Sequence, residues 1–175
     1  MEGQKGKKAV RQRNPVQVVG LGQACVDCLG RAPVYPAEDS KAQLSDLVIG
    51  MGGPASTAMV TLSRLSIPTA FIGSISDDPF GERIVRNLQK EKVDLSLLKI
   101  IPGHTSQFAF ILVSGEDGKR TVFWDRGSVP HLDPADVDLS GFIDARILHV
   151  DSLMVEAAAE AARQAKAAGL KVVMD

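Results

Sequence analysis

The stretch Ile49-Gly50-Met51-Gly52-Gly53-Pro54-Ala55-Ser56-Thr57-Ala58 determines how the fold of this 175-residue chain is interpreted. Two glycines stand directly before a proline, and apolar residues then recur at helical spacing through Met59, Leu62 and Leu65. Proline favours the first position of a helix, and adjacent glycines allow a backbone to come close to a ligand. The stretch therefore predicts a helix over residues 54–65 whose N-terminal N–H groups face a ligand.

Short apolar runs on both sides of this helix predict strands that alternate with helices. Strands are expected at residues 16–22, 43–49, 69–74, 146–150 and 171–174, with residues 25–30 either continuing the first strand or starting a second. Further helices are expected at residues 78–92 and 155–168, and a hairpin at residues 105–114 and 119–125. The alternation predicts an α/β layer with a parallel sheet, and the hairpin predicts a small second sheet, a lid.

The composition argues against several classes of partner. The 21 acidic and 20 basic residues nearly cancel, so no overall field favours nucleic acid or a membrane surface. No apolar run is long enough to span a bilayer. Residues 1–15 are rich in Lys and Arg but lack the apolar stretch of a secretory signal, which predicts a disordered basic leader. We expect a cytoplasmic protein that binds neither nucleic acid nor membranes.

Two motifs that often indicate cofactors are incomplete. Gly20-Leu21-Gly22 begins like a dinucleotide fingerprint, but Cys25 stands at the third glycine position and Pro33 prevents the helix that would follow. Cys25 and Cys28 form a C-x-x-C without a second cysteine pair for zinc. On a strand the two side chains point to opposite faces, so we interpret them as small buried apolar residues. No metal site is predicted.

Two charged residues have two interpretations each. Asp27 follows the first strand within an apolar stretch, and it is either a solvated loop carboxylate or an acceptor for sugar hydroxyls. Arg126, in Trp124-Asp125-Arg126-Gly127, either stacks or pairs locally with Asp125, or offers a bidentate fork to an anionic substrate group. Asp151 ends a strand at the edge where ligands gather in open α/β sheets.

Taken in order, these pieces resemble the first signature of the PfkB/ribokinase family of carbohydrate kinases. The resemblance rests on the Gly52-Gly53 helix, on Gly73 and on the segment Asp77-Asp78-Pro79-Phe80-Gly81. It covers residues 16–175 and implies a ribokinase-like three-layer α/β/α fold. It also implies a small β-sheet lid, built from about residues 40–50 and 105–127, that often forms the contact in homodimers.

The resemblance also implies a sugar substrate and a set of substrate-binding residues. In the family, an aspartate at the position of Asp27 contacts the sugar, and glycines matching Gly52 and Gly53 line its pocket. Thr57 stands where the family usually has asparagine, in a pattern similar to that of sulfofructose kinases. The segment containing Gln107 begins a lid strand that reaches the substrate from above. Arg126 and Asp151 complete the predicted set, and Thr57 and Arg126 favour a substituted or acidic ketose.

The family's second signature, a Gly-Ala-Gly-Asp-like turn, has no counterpart, because no Gly-x-Gly-Asp follows Gly127. That turn supplies the catalytic base and lies beside the ATP pocket. The resemblance therefore implies ATP and Mg²⁺ as cofactors but places no catalytic residue and no ATP site in this chain. The final apolar strand, which has nothing after it, predicts that the C-terminal half is missing. We expect the inactive sugar-binding half of a kinase; the alternative is a non-catalytic sugar-binding or interaction module.

Overall fold

The computed structural model describes residues 15–175, and the leader expected over residues 1–15 falls almost wholly outside them. The strands of the described part are β1 (Val18–Leu21), β2 (Cys25–Ala32), β3 (Asp46–Gly52), β4 (Thr69–Ile75), β5 (Leu98–Ile100), β6 (Phe108–Ser114), β7 (Arg120–Asp125), β8 (Ile147–Val150) and β9 (Lys171–Met174). The α-helices are α1 (Pro54–Arg64), α2 (Pro79–Lys90) and α3 (Val155–Ala167). A short 3-10 turn spans Pro134–Asp136.

Five of the strands form a parallel sheet in the order β5-β4-β1-β8-β9. Its central strand, β1, is buried along its whole length, as its apolar composition predicts. One face packs against α1 and α2 through side chains such as Phe71, Met59 and Leu88. The other face packs against α3, whose alanines approach Leu148 and Val150 closely. The result is the expected three-layer α/β/α arrangement.

The remaining strands form a second sheet, the lid, in the order β3-β2-β6-β7. Strand β2 pairs antiparallel with β3 and parallel with β6, and β6 pairs antiparallel with β7. The chain thus starts a second strand at Cys25 rather than extending β1, and this strand belongs to the lid. The hairpin β6–β7 forms where it is expected, whereas β5 is too short and too exposed to give a periodic signal.

Helix α2 begins with a cap that also fastens the lid. The side chain of Asp78 accepts a hydrogen bond from the N–H of Gly81 at 2.9 Å, as an N-cap does. The same carboxylate accepts from the hydroxyl and the N–H of Ser106, at 2.5 and 3.1 Å. Ser106 lies two residues before β6, so one side chain ends a helix and holds the lid hairpin at its base.

We predict that Asp78→Ala lowers the free energy of unfolding by about 1 to 3 kcal/mol, because the helix cap and both bonds to Ser106 are lost together. Urea unfolding followed by circular dichroism measures the change. Glu116→Ala, in the exposed hairpin turn, is the control and is expected to change the stability by no more than about 0.5 kcal/mol. Equal effects of the two substitutions would contradict the double role of Asp78.

Candidate functional site

A cavity of about 300 Å³ opens at the carboxyl ends of β1, β4 and β8, where ligands bind in open α/β sheets. Its walls come from residues that follow or end these three strands and from the lid hairpin. The lining residues are Gln23, Ala24, Ser74, Gln107, Trp124, Arg126, Val129, His131, Leu153 and Met154. This lining contains hydrogen-bonding groups and an arginine but no carboxylate side chain, so the cavity favours a neutral or anionic ligand.

Asp27 is not among the lining residues of this cavity; it lies on the lid strand β2, three residues after the lining residue Ala24, and it is half-buried. A Cβ added to Gly52, on the paired strand β3, would come within 2.2 Å of Asp27 Oδ2. A side chain at position 52 would therefore force the Asp27 carboxylate out of this position. The oxygens of this half-buried carboxylate can accept hydrogen bonds from a polyol.

Gly53 is the N-cap of α1 and has a φ of +99°, a conformation that strains any residue with a side chain. A Cβ at this position would also lie 2.3 Å from the carbonyl oxygen of Gln23. The adjacent glycines thus permit a close approach, as the sequence predicts. The approaching group, however, is the protein's own main chain after β1.

The prediction that free N–H groups at the start of α1 face a ligand is wrong. Pro54 has no N–H, and the N–H of Ala55 lies 3.4 Å from Oδ2 of Asp151, which accepts its hydrogen bond. The N–H of Ser56 donates to the Gln23 carbonyl oxygen at 3.4 Å. The positive end of the helix is therefore compensated by an internal carboxylate.

Asp151 lies beneath the cavity rather than in its lining, and it is only 2% exposed. Besides Ala55, it accepts hydrogen bonds from the N–H groups of Gln23 at 2.7 Å and Leu153 at 3.0 Å. A Cβ on Gly22 would lie 2.1 Å from Asp151 Oδ2. The carboxylate thus holds two residues of the cavity wall, and its predicted contact with a substrate stays a prediction.

The structure brings Gln107 and Arg126 together in the cavity lining, and their predicted contact with a substrate stays a prediction. Arg126 is exposed and forms no ion pair with any residue in the described range 15–175. The local pair with Asp125 is not formed, because Asp125 instead accepts from the N–H of Gly127 at 2.8 Å. Thr57 is exposed on the first turn of α1 and is not among the cavity-lining residues.

Several lining residues were missed from the sequence. Gln23 and Leu153 follow β1 and β8 directly, so the rule that ligands gather at strand ends could have identified them. Ser74 lies near the end of β4 and could have been found in the same way. His131 comes from the loop after β7, where no periodic pattern predicts its position. His149 is half-buried within β8 and does not line the cavity.

The two cysteines are free thiols on opposite faces of β2, as their spacing predicts. Cys25 is buried and Cys28 is half-buried. The Cys25 thiol also donates a hydrogen bond to Asp27 Oδ1, at 3.2 Å, which the spacing of the two residues alone does not predict. Burial raises the pKa of this thiol, and the charge of Asp27 raises it further, so Cys25 remains protonated near neutral pH.

Two absences concern the described part of the chain, residues 15–175. No group of three or more His, Cys, Asp or Glu side chains among them could hold a metal ion. No helix among them has the length and apolar character needed to cross a membrane.

Comparison with known proteins places this geometry among sugar kinases. The model of the pfkB family carbohydrate kinases matches residues 16–175. The chain is 34% identical over 133 residues to a 5-dehydro-2-deoxygluconokinase of Mesomycoplasma hyopneumoniae, covering 71% of this chain and 39% of that protein. It is 28% identical over 160 residues to an ATP-dependent ribose-1-phosphate kinase of Halopiger xanaduensis, covering 91% of this chain and 54% of that protein.

The fold has solved counterparts. Ribokinase of Arabidopsis thaliana, solved in complex with ribose and ATP, superposes with a TM-score of 0.74 at 17% sequence identity. The match covers 93% of this chain and 54% of that one, and it shows a ribokinase-like fold. The chain thus spans about half the length of the relatives it matches.

We predict that Asp151→Asn lowers the free energy of unfolding by about 2 to 4 kcal/mol. An asparagine side chain has only one acceptor oxygen, and its NH₂ group would face at least one of the three backbone N–H groups, donor against donor. Chemical denaturation measures this. Asp144→Asn, an exposed carboxylate before β8, is the matched control and is expected to have little effect. An Asp151→Asn variant as stable as the control would show that the three bonds do not support the fold.

Proposed function

Because the chain belongs to the pfkB family of carbohydrate kinases, we propose that it is the sugar-binding half of an ATP-dependent kinase. The reaction would transfer the γ-phosphoryl group of ATP to a sugar hydroxyl. Support comes from the match over residues 16–175 and from relatives that are about twice as long. The ADP-bound and ATP-bound ribokinase structures with this fold support the choice of nucleotide.

One observation carries the proposal: the half-buried carboxylate of Asp27 lies against Gly52 on a lid strand that begins directly after Gln23 and Ala24, which line a cavity at the carboxyl ends of three parallel strands. A carboxylate accepts several hydrogen bonds, which suits neighbouring hydroxyls of one sugar. Gln107 and Gln23 offer amide groups from the lid and from the turn after β1. We propose that the acceptor sugar lies between Asp27 and this cavity.

The 175 residues alone would not transfer phosphate. They contain no Gly-x-Gly-Asp sequence, which in the family carries the base, and phosphoryl transfer depends on positioned charges around the γ-phosphate. We propose that the base, the ATP pocket and the site of Mg²⁺ belong to the part of the relatives that this chain does not match. Mg²⁺ would arrive with the nucleotide, since residues 15–175 offer no cluster that could hold it.

The acceptor is proposed to be a sugar with an anionic group. Arg126 has no ion-pair partner among residues 15–175, and the cavity it lines contains no carboxylate that would repel an anion. Two relatives carry names that specify a gluconate derivative and ribose 1-phosphate, which are anionic sugars. A guanidinium presents two parallel donors to a carboxylate or phosphate.

The homodimer predicted through the lid remains a proposal. The outer strands of the lid expose apolar side chains, among them Leu47, Val48, Phe123 and Trp124, each more than half exposed. Burying such a surface against a second copy would remove apolar area from water. The cytoplasm remains the expected compartment.

We predict that the chain binds a sugar and that Asp27→Ala lowers the affinity at least about tenfold, since hydrogen bonds to a charged acceptor are lost. Isothermal calorimetry with a panel of neutral and anionic sugars measures this. Asp46→Ala, on the exposed lid strand β3, is the matched control and is expected to leave the affinity unchanged.

The same chain is expected to release no ADP from ATP. Phosphorylation that appears only when the second half of a relative is joined to it would support the kinase proposal. Sugar binding that never leads to phosphorylation in such a fusion would favour the alternative, a non-catalytic sugar-binding module. A folded chain that binds no sugar would reject both.

We predict that Arg126→Ala weakens binding of anionic sugars by about 10- to 100-fold, because a charge-assisted pair is lost, and leaves neutral sugars nearly unaffected. Competition calorimetry with gluconate-type, phosphorylated and neutral sugars measures the difference. Arg120→Ala, an exposed arginine at the far end of β7, controls for the change in net charge. Equal losses for neutral and anionic sugars would contradict the assignment.

A further inference from the structure

Cys25 and Asp27 lie on the same face of β2, because alternate residues of a strand point the same way. The sulfur of Cys25 donates a hydrogen bond to Oδ1 of Asp27 at 3.2 Å. The other oxygen, Oδ2, lies close to Gly52, so the carboxylate is confined between a thiol and a main chain without a side chain. Among the described residues, 15–175, no other hydrogen-bond donor reaches Asp27.

The position of Cys25 is not explained by packing in either apolar core. Its side chain is 6% exposed, yet it belongs to neither of the two clusters of buried residues that flank the parallel sheet. Cys28, three residues later, does pack against one of them. The thiol of Cys25 stays protonated near neutral pH, because burial and the charge of Asp27 both raise its pKa. The protonated thiol is therefore a weak donor that points at Asp27 Oδ1.

We propose that Cys25 is a positioning residue for sugar binding, whose thiol proton orients the Asp27 carboxylate toward the hydroxyls of the acceptor. The inference rests on the proposed function, in which Asp27 binds the sugar. One bond to Oδ1 limits rotation of the carboxylate and leaves lone pairs on both oxygens for the ligand. A carboxylate that is already oriented loses less freedom when the sugar binds.

The first test compares two substitutions at Cys25. Cys25→Ala removes the donor and is expected to weaken sugar binding by about 3- to 10-fold, the effect of one hydrogen bond. Cys25→Ser keeps a donor on the same carbon and is expected to stay within about twofold of the unaltered chain. Calorimetry with the tightest-binding sugar gives both affinities, and urea unfolding confirms that each variant is folded.

The second test separates positioning from a general structural effect. In an Asp27→Ala background, Cys25→Ala is expected to cause no further loss of affinity, because the thiol then has no carboxylate to orient. Cys28→Ala removes the same atoms from the opposite face of β2, where they pack against the core. It is expected to lower the stability but to leave the affinity for the sugar unchanged.

Three outcomes would overturn the inference. The first is a folded Cys25→Ala variant that binds the sugar as well as the unaltered chain. The second is a loss that adds fully to that of Asp27→Ala. The third outcome is used if the Cys25→Ala variant does not fold. In that case, a folded Cys25→Ser variant that loses as much affinity for the sugar as Asp27→Ala contradicts the inference. If the unaltered chain binds sugar and any of these three outcomes is found, the role of Cys25 is rejected but the proposed function stands. If the folded, unaltered chain binds no sugar, both the role of Cys25 and the proposed function are rejected.

Discussion

A single buried carboxylate joins the parts of the chain that form the candidate site. Asp151 accepts hydrogen bonds from Gln23 after β1, from Ala55 at the start of α1 and from Leu153 after β8. A charge that is 2% exposed is tolerated there because its oxygens are paired with N–H groups and the helix end is positive. Two of the three donors belong to residues that line the cavity, so its walls depend on Asp151.

The glycines around this carboxylate follow from the same constraint. A Cβ at Gly22 would collide with Asp151, one at Gly53 would collide with the Gln23 carbonyl, and one at Gly52 would collide with Asp27. The Gly52-Gly53 segment, which the sequence predicts to approach a ligand, therefore packs against main chain and carboxylates of the protein itself. The N–H groups of the first turn of α1 are used internally, so under the proposed function the contacts with a ligand would come from side chains on β2 and on the lid hairpin.

The sequence predicted the fold better than the site, for reasons that particular residues make plain. Proline at positions 54 and 79 and the apolar periods around them located α1 and α2 within a residue or two. Asp27 and Asp151 look alike in the sequence, since both follow apolar runs, but Asp27 is half-buried on a lid strand and Asp151 is fully buried and accepts hydrogen bonds from three N–H groups. Local sequence predicts neither the hydrogen-bond donors to Asp151 nor the position of His131 in the cavity lining. Both depend on which separate loops come together in the folded chain.

The connection between the lid and the parallel sheet bears on how an acceptor would be held. Strand β2 begins four residues after β1 ends, and the intervening Gln23 is fixed by Asp151, so the lid is anchored close to Asp27. The hairpin is anchored where it leaves the sheet, because Ser128 and Thr105 exchange bonds of 3.0 Å between N–H and hydroxyl groups. Arg126 lies two residues before Ser128 and therefore close to these hydrogen bonds. Both groups proposed to bind the acceptor therefore stand beside fixed points. The outer lid strand β3 is held as well, because Arg83 of α2 donates a hydrogen bond to the Ile49 carbonyl oxygen at 2.8 Å. Under the proposed function, the acceptor would therefore be bound by two side chains that each lie within four residues of a hydrogen-bonded junction: Asp27 after Gln23, and Arg126 before Ser128.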